Sequence, residues 1–287
     1  MNSDSLGSLL PKFIKNLESK GRSPSTILAY RADLEQLNVF LATKQKALPS
    51  QVTAEDLTSF RDWLLAEKYT PKSTSRKLNA VKTFFRWLKE EKIMTEDPSK
   101  DVEHPRIESS DPKFLSPIEY RALRDVVRTD TRIAAIVELI LQTGMRISEV
   151  ANLKIKDIDG ENIRVEHYAT QPERSVPLNE ASKTALEDYM KERPQTDSEY
   201  VFVSKNGKPL AVRNIRAAID RYMQKAEVPN YSVNDLRTTF IVENLKRGVD
   251  LVTISQVSGH KRLSTTERYL ELAEIKESGK KQKLEEL

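Results

Sequence analysis

The chain has 287 residues, of which 38% are hydrophobic and 31% charged, with no cysteine and a net charge of +4. This composition is typical of a soluble globular protein, and it excludes disulfides, thiolate metal sites and a cysteine nucleophile. No apolar run approaches the roughly 20 residues that cross a bilayer, and the N-terminus lacks the pattern of a signal peptide, so we expect a cytoplasmic protein with no membrane partner.

The positive charge is concentrated near the N-terminus. Residues 1–100 contain 17 Lys and Arg against 12 Asp and Glu, whereas the rest of the chain is about neutral. Basic residues that neutralise phosphates favour a polyanion such as DNA as the partner. On net charge alone, a basic surface that contacts only solvent is an equally good explanation.

Helical periodicity predicts four helices within residues 1–100. Apolar residues recur there at spacings of three and four in four segments, which short polar joints separate. The third segment begins with Thr53, followed three residues later by an acid, a variant of the capping box. We therefore predict a compact four-helix domain.

The fourth predicted helix combines an apolar stripe with a basic face. Its apolar stripe consists of Leu78, Val81, Phe85 and Leu88. Six basic residues and no acidic one stand between positions 72 and 89: Lys72, Arg76, Lys77, Lys82, Arg86 and Lys89. Faces that only meet water usually carry both signs, so the pattern favours DNA contact, with a solvated face as the alternative.

A linker separates this domain from the rest of the chain. Residues 98–115 carry three prolines and no helical period, and we place the linker at 101–115. A new helix is predicted from Ser116, with Pro117 at its first position. Residues 116–287 then form a second domain.

The second domain is predicted to be mainly helical, with a small antiparallel sheet. The segment IRVEHYATQPERSVPL reads as two strands with a turn near Gln171–Pro172. The segment YVFVSKNGKPL reads as a short strand and turn, and helices follow to the end. The predicted fold class is thus mainly α with a small antiparallel β-sheet in the C-terminal domain.

Four short stretches of the second domain carry candidate chemistry. These are TGMRISEV with Arg146, VNDLRTTF with Arg237, SGH with His260, and TTERY with Tyr269. His260 follows Arg237 by 23 residues, and Tyr269 follows His260 by nine. Each stretch alone is weak evidence, because a single Arg or Tyr is usually a surface or packing residue.

Together, in this order and at these spacings, the four stretches resemble the catalytic domain of tyrosine recombinases, the Xer and phage integrase family. The N-terminal helices resemble the SAM-like core-binding domain of the same family. The resemblance covers nearly the whole chain and implies a site-specific DNA recombinase or integrase that cleaves and rejoins DNA through a 3′-phosphotyrosine intermediate.

The resemblance also implies roles for individual residues. Tyr269 would be the nucleophile, and Arg146 and Arg237 would clamp the phosphate oxygens with forked donors. His260 would donate to the same phosphate or assist Tyr269, and Asn234 stands at the position of a second histidine. The implied partner is double-stranded DNA, bound by two protomers per site and four in the synapse, without metal or cofactor.

Glu149 stands one helical turn after Arg146, and that spacing places it where it could orient a guanidinium.

Two positions depart from the family pattern. Ala169 falls where the family has a lysine, the expected donor of a proton to the leaving 5′-oxygen, and Asn234 cannot exchange protons. The nearby candidates for a proton donor are Arg164, His167 and Arg174. An arginine is a poor donor because its guanidinium stays protonated, whereas His167 could donate near neutral pH only if the hairpin is shifted by two residues.

Three functions remain open from the sequence: a recombinase, a recombinase-fold DNA-binding protein with weakened or lost cleavage chemistry, and a nicking and relaxing enzyme. The apolar edge of the tail, formed by Leu270, Leu272 and Ile275, would dock on a neighbouring protomer or pack in cis.

Overall fold

The computed structural model describes residues 4–108, 111–167 and 173–274. The chain divides into two compact units, Met1–Ser110 and Asp111–Leu287. This division falls within the predicted linker. No helix of the described segments is long and apolar enough to cross a membrane.

Over residues 4–108, the N-terminal unit contains four helices and one 3-10 turn at Pro49–Gln51. The helices are α1 (Leu6–Ser19), α2 (Pro24–Thr43), α3 (Ala54–Ala66) and α4 (Pro71–Glu90). Each begins at a serine or threonine whose hydroxyl accepts a hydrogen bond from an amide three residues on. The predicted capping box at Thr53 is present.

Aromatic rings fill the core between these helices. Phe13 of α1 packs on Phe84 and Trp87 of α4, with centroids 5.2 and 5.4 Å apart. Phe60 of α3 packs on Phe40 of α2 at 5.3 Å. These contacts bury one face of each helix, as the apolar periodicity predicts.

In the described part of the C-terminal unit, the regular structure is helical except for one hairpin. Its helices are α5 (Pro117–Val127), α6 (Thr131–Thr143), α7 (Ile147–Ala151), α8 (Glu180–Glu192), α9 (Val212–Lys225), α10 (Val233–Lys246), α11 (Leu251–Ser258), α12 (Ser264–Glu267) and α13 (Leu270–Glu274), with a 3-10 turn at Ile155–Asp157. Helix α6 lies at the centre of the core and packs against α5, α8 and α10.

The hairpin consists of β1 (Asn162–Val165) and β2 (Arg174–Pro177), paired antiparallel with Ile163 opposite Val176. The predicted turn near Gln171–Pro172 lies outside the described residues. The short strand predicted within YVFVSKNGKPL is wrong: this segment makes only isolated bridges, such as Val203 with Pro209, around a turn at Gly207. The predicted fold class is nevertheless confirmed.

Helix α13 packs on α10 of the same chain, and Ala273 is buried there. Up to Glu274 the tail is therefore packed in cis. Ile275, part of its predicted apolar edge, lies outside the described residues.

Candidate active site

Two helix ends, each closed by a glycine, form the base of the site. Gly144 ends α6 with φ +63°, and Gly259 ends α11 with φ +65°, a left-handed backbone that favours glycine. A Cβ on Gly144 would lie 2.4 Å from the Phe240 ring, and one on Gly259 would lie 2.9 Å from the Arg174 guanidinium. The left-handed backbone and the close packing both favour glycine at these positions.

The backbone carbonyls at these helix ends hold two arginines. Arg237 of α10 donates to the Gly144 carbonyl and, at 2.6 Å, to the Ser258 carbonyl. Arg146, which precedes α7, donates to the Ser258 carbonyl at 3.3 Å and to the Gly259 carbonyl at 2.8 Å. Both guanidiniums therefore meet at Ser258, although 91 residues separate them in the chain.

Glu149 joins a third arginine to this pair. Its carboxylate accepts 2.9 and 2.7 Å bonds from both terminal nitrogens of Arg174 and a 2.9 Å bond from Arg146. Arg174 also donates to the Val257 carbonyl at 2.8 Å. The side chains of Glu149 and Arg174 are each only 8% exposed. We call Arg146, Arg174 and Arg237 the arginine cluster.

The arginine cluster carries three positive charges against one carboxylate. Burial, with repulsion from Arg146 and Arg174, lowers the pKa of Arg237 to about 9. Burial alone would raise the pKa of Glu149, but hydrogen bonds and charges from Arg174 and Arg146 outweigh it and hold that pKa below its usual value. Such a cluster favours the binding of an anion.

His260 and Tyr269 lie beside the arginine cluster. Their rings are nearly parallel, 9° apart, with centroids separated by 6.3 Å. Both residues are half-buried. Burial and the positive charges of Arg237, Arg146 and Arg174 lower the pKa of His260 to about 4. The imidazole is therefore neutral at physiological pH.

An open cavity of about 100 Å³ adjoins Arg146 and Glu149. His167, just beyond β1, lines this cavity and is exposed to solvent. Ala169 lies outside the described residues. Among the described residues, no group of three or more His, Asp or Glu side chains is arranged to hold a metal ion.

The structure brings Arg146, Arg237, His260 and Tyr269 together, as the sequence pattern requires. Asn234 is exposed one turn before Arg237 on α10. Arg174 is not placed as a proton donor, and that prediction is corrected: its guanidinium is buried and binds Glu149 and the Val257 carbonyl. Arg174 instead organises the site.

The predicted basic face of α4 is also corrected at one position. The Lys77 ammonium is buried and donates to Asp33 at 2.9 Å, so Lys77 is not a surface charge. Arg76 donates to the same carboxylate at 3.0 Å, but half of its side chain is exposed. Lys72, Arg86 and Lys89 are exposed, and Lys82 donates to the Lys100 carbonyl at 3.3 Å.

Sequence reasoning missed two contributions to the site. The carbonyls of Ser258 and Gly259 bind the arginines. Every residue has a backbone carbonyl, so residue type does not reveal which carbonyls act in the site. Thr266 bonds His260 (Nδ1 to Oγ1, 2.8 Å). In the sequence, only the position of Thr266 between His260 and Tyr269 indicates that it belongs to the site.

Two family profiles match the chain. Residues 113–275 match the phage integrase family, and residues 10–92 match the phage integrase N-terminal SAM-like domain. The chain therefore belongs to the phage integrase family of tyrosine recombinases, enzymes that cleave and rejoin DNA.

Relatives over most of the chain carry the name tyrosine recombinase XerC. The chain is 30% identical over 274 residues to that of Roseiflexus castenholzii, covering 91% of this chain and 87% of the relative. It is 33% identical over 273 residues to that of Lactobacillus leichmannii, covering 90% of each chain. It is 32% identical over 286 residues to that of Myxococcus xanthus, covering 93% and 94%.

Solved structures share the fold. XerA recombinase is 26% identical with a TM-score of 0.55, over 96% of this chain and 100% of that chain. A lambda integrase dimer bound to a COC′ core site is 18% identical with a TM-score of 0.75, over 99% and 81%. XerH recombinase bound to palindromic difH substrate is 18% identical with a TM-score of 0.74, over 93% and 82%.

Proposed function

We propose that this chain is a site-specific recombinase or integrase in which Tyr269 is the nucleophile. The Tyr269 oxygen attacks the scissile phosphorus and loses its proton, the bond from phosphorus to the 5′-oxygen breaks, and a 3′-phosphotyrosine link forms. Attack by the free 5′-hydroxyl reverses these changes and rejoins the strand. The observation that carries the proposal is the meeting of Arg146 and Arg237 at the Ser258 carbonyl beside the His260 and Tyr269 rings.

The arginines keep donors for a phosphate. Among the described residues, the contacts of Arg237 use two of the five N–H donors of a guanidinium, and those of Arg146 use three. A bound phosphate adds the negative charge that the arginine cluster lacks, and it gains further charge in the transition state. The backbone contacts fix both guanidiniums before DNA binds, which lowers the cost of ordering them.

His260 acts as a neutral group in this scheme. Because its pKa is about 4, it donates a hydrogen bond to the phosphate without adding a fourth positive charge. Asn234, one turn before Arg237, supplies an amide donor to the same phosphate.

We also propose that His167 gives the leaving 5′-oxygen its proton. His167 lines the same cavity as Arg146 and Glu149. It lies two residues beyond Val165, whose partner in the hairpin is Arg174 of the arginine cluster. An imidazole N–H can act as a general acid, a role that the alanine at position 169 cannot fill.

A sulfur leaving group tests the role of His167. In a duplex with sulfur in place of the bridging 5′-oxygen, the thiolate leaves without a proton. We expect His167→Ala to slow cleavage of the ordinary duplex by roughly 10²-fold or more and to leave cleavage of the sulfur duplex unchanged. His104→Ala, a histidine of the N-terminal unit, is the matched control. Equal slowing on both duplexes would exclude His167 as the acid.

The proposed partner is double-stranded DNA, with two protomers per site and four in the synapse. Solved structures of the same fold include lambda integrase as a dimer on a core site and as a tetramer on a Holliday junction. In the N-terminal unit, the proposed contacts are the exposed basic side chains of α4 together with the half-buried Lys82: Lys72, Arg76, Lys82, Arg86 and Lys89. The XerC relatives come from bacteria, whose chromosomal DNA lies in the cytoplasm, so we place the reaction there.

Suicide duplexes test the proposed chemistry. The protein first selects its binding duplex from a random library, and the selected duplex is then nicked at successive positions. We expect one nicked duplex to trap a covalent adduct with a free 5′-hydroxyl and to give none with Tyr269→Phe. Tight binding of the duplex without an adduct would instead support the non-enzymatic DNA-binding protein.

A further inference from the structure

One hydrogen bond joins His260 to the short helix before Tyr269. His260 Nδ1 lies 2.8 Å from Thr266 Oγ1, and Thr266 is fully buried. The carbonyl of Thr266 also accepts the backbone amide of Tyr269 at 3.0 Å. Thr266 therefore contacts both residues whose rings stack in the site.

The environment of Thr266 decides which atom donates. A hydroxyl has one hydrogen, and a buried hydroxyl without an acceptor is unfavourable. Among the residues that the structure describes, His260 Nδ1 is the only hydrogen-bond partner of this hydroxyl. If Nδ1 carried a proton, the threonine hydrogen would have no acceptor, so the hydroxyl donates and Nδ1 accepts.

We propose that Thr266 is a positioning residue, which holds His260 in the tautomer with its single proton on Nε2 and so directs an N–H donor at the scissile phosphate. This inference rests on the proposed function, since it assigns the phosphate as the acceptor. Thr266 itself touches neither the nucleophile oxygen nor the phosphate in this scheme.

The tautomer matters because the ring is neutral. Burial and the charges of Arg237, Arg146 and Arg174 disfavour a second proton on His260, and a neutral imidazole has only one N–H. If that proton sat on Nδ1, the Nε2 atom would present a lone pair to the phosphate and repel it. In the serine protease triad, a buried aspartate likewise fixes the tautomer of the catalytic histidine through the Nδ1 atom.

The tautomer is measured directly on the free protein. In a sample with ¹⁵N-labelled histidine, two-bond N–H correlations distinguish a protonated ring nitrogen from a bare one. The chain has three histidines, and the spectrum of His260→Gln assigns the His260 signals. We expect wild-type His260 to show a bare Nδ1 and a protonated Nε2 at pH 7, and Thr266→Val to show a population protonated on Nδ1. A proton on Nδ1 in the wild type would overturn the proposal.

Kinetics separate positioning from a general structural role. We expect Thr266→Val to slow adduct formation by about ten- to a hundredfold, less than the roughly 10²–10³ lost when a transition-state donor is removed. Thr266→Ser, which keeps the hydroxyl, recovers most of the rate. Thr265→Val, at the exposed neighbour, leaves the rate unchanged.

A double-mutant cycle completes the test. If Thr266 acts through His260, then Thr266→Val has no further effect on the rate in the His260→Gln background. A slowing of the same size in both backgrounds would mean a structural role and would overturn the proposal. Absence of any wild-type adduct would instead count against the proposed function, because the NMR result does not depend on catalysis.

Discussion

At the scale of single residues, Glu149 holds the site together. It is buried and binds two of the three arginines in the cluster. Removing its charge leaves buried guanidiniums without a counter-charge, a change that costs about 3–5 kcal/mol when a buried pair is broken. The same change weakens one of the three side-chain contacts that orient Arg146, while those to the Ser258 and Gly259 carbonyls remain.

We therefore predict that Glu149→Gln lowers the free energy of unfolding by about 3 kcal/mol at pH 7 and also slows cleavage. Because the folded-state pKa of Glu149 lies below its usual 4.5, the stabilisation is fully present above pH 4.5 and is lost as pH falls through the lower folded value. Denaturant unfolding across pH checks this. A stability difference that stays constant down to acid pH would contradict the assignment.

Glu138→Gln is the matched control for Glu149→Gln. Glu138 binds Arg124 through two hydrogen bonds of 2.8 and 2.6 Å and is 12% exposed, but Arg124 is not part of the arginine cluster. We expect the Glu138→Gln variant to lose stability because its ion pair is broken, while cleavage by the folded protein stays at the wild-type rate. Slowed cleavage by this control would show that the rate reports stability alone.

At the scale of elements, the C-terminal end of α6 positions Arg237 through the Gly144 carbonyl. A side chain on Gly144 meets the Phe240 ring, whereas one on Gly248, which follows α10 at φ +81°, meets nothing within 4 Å. We predict that Gly248→Ala costs about 1–2 kcal/mol for the left-handed backbone and that Gly144→Ala costs about 1–3 kcal/mol more from overpacking. Urea unfolding measures both. Equal costs would show that the Phe240 contact is relaxed without penalty.

Helix α4 carries two kinds of basic residue, exposed side chains and the buried Lys77. We predict that Lys72→Ala, Arg86→Ala and Lys89→Ala each reduce the slope of log Kd against log salt by about 0.9. Lys77→Ala leaves that slope unchanged and lowers stability, by less than the roughly 3–5 kcal/mol of a fully broken buried pair because Arg76 still binds Asp33. DNA titrations at several salt concentrations distinguish the two groups, and a changed slope for Lys77→Ala would contradict its assignment.

Local signals predicted the elements well, because helix caps and apolar spacing act within a few residues. Lys77 was also predictable: it precedes Val81, Phe84 and Leu88 by four, seven and eleven residues, so it lies on the apolar face of α4. The pairing of Arg174 with Glu149 was not, since 25 residues separate them and tertiary packing of β2 near α7 brings them together. The resemblance to a family identifies the residues of the site, whereas their spacing in the sequence does not show which of them bind each other.

At the scale of the whole molecule, the proposed pair of protomers per site implies a symmetric target. A pair of identical chains related by a two-fold axis reads two half-sites in opposite orientations. We predict that selection from random duplexes enriches inverted repeats, and that mass photometry finds two chains on each selected duplex and one on a half-site. Enrichment of single, non-repeated sites would contradict a dimer on DNA.

The central claim is that Tyr269 forms the covalent link to DNA, and peptide mapping of the trapped adduct tests it most directly. Trypsin cleaves after Arg268 and Lys276 and releases the peptide YLELAEIK, which contains one of the nine tyrosines of the chain. We predict that mass spectrometry finds the 3′-phosphate of the cleaved strand on this peptide. A link to any other tyrosine, or a duplex bound by the wild-type protein at every nick position without a link, would contradict the claim.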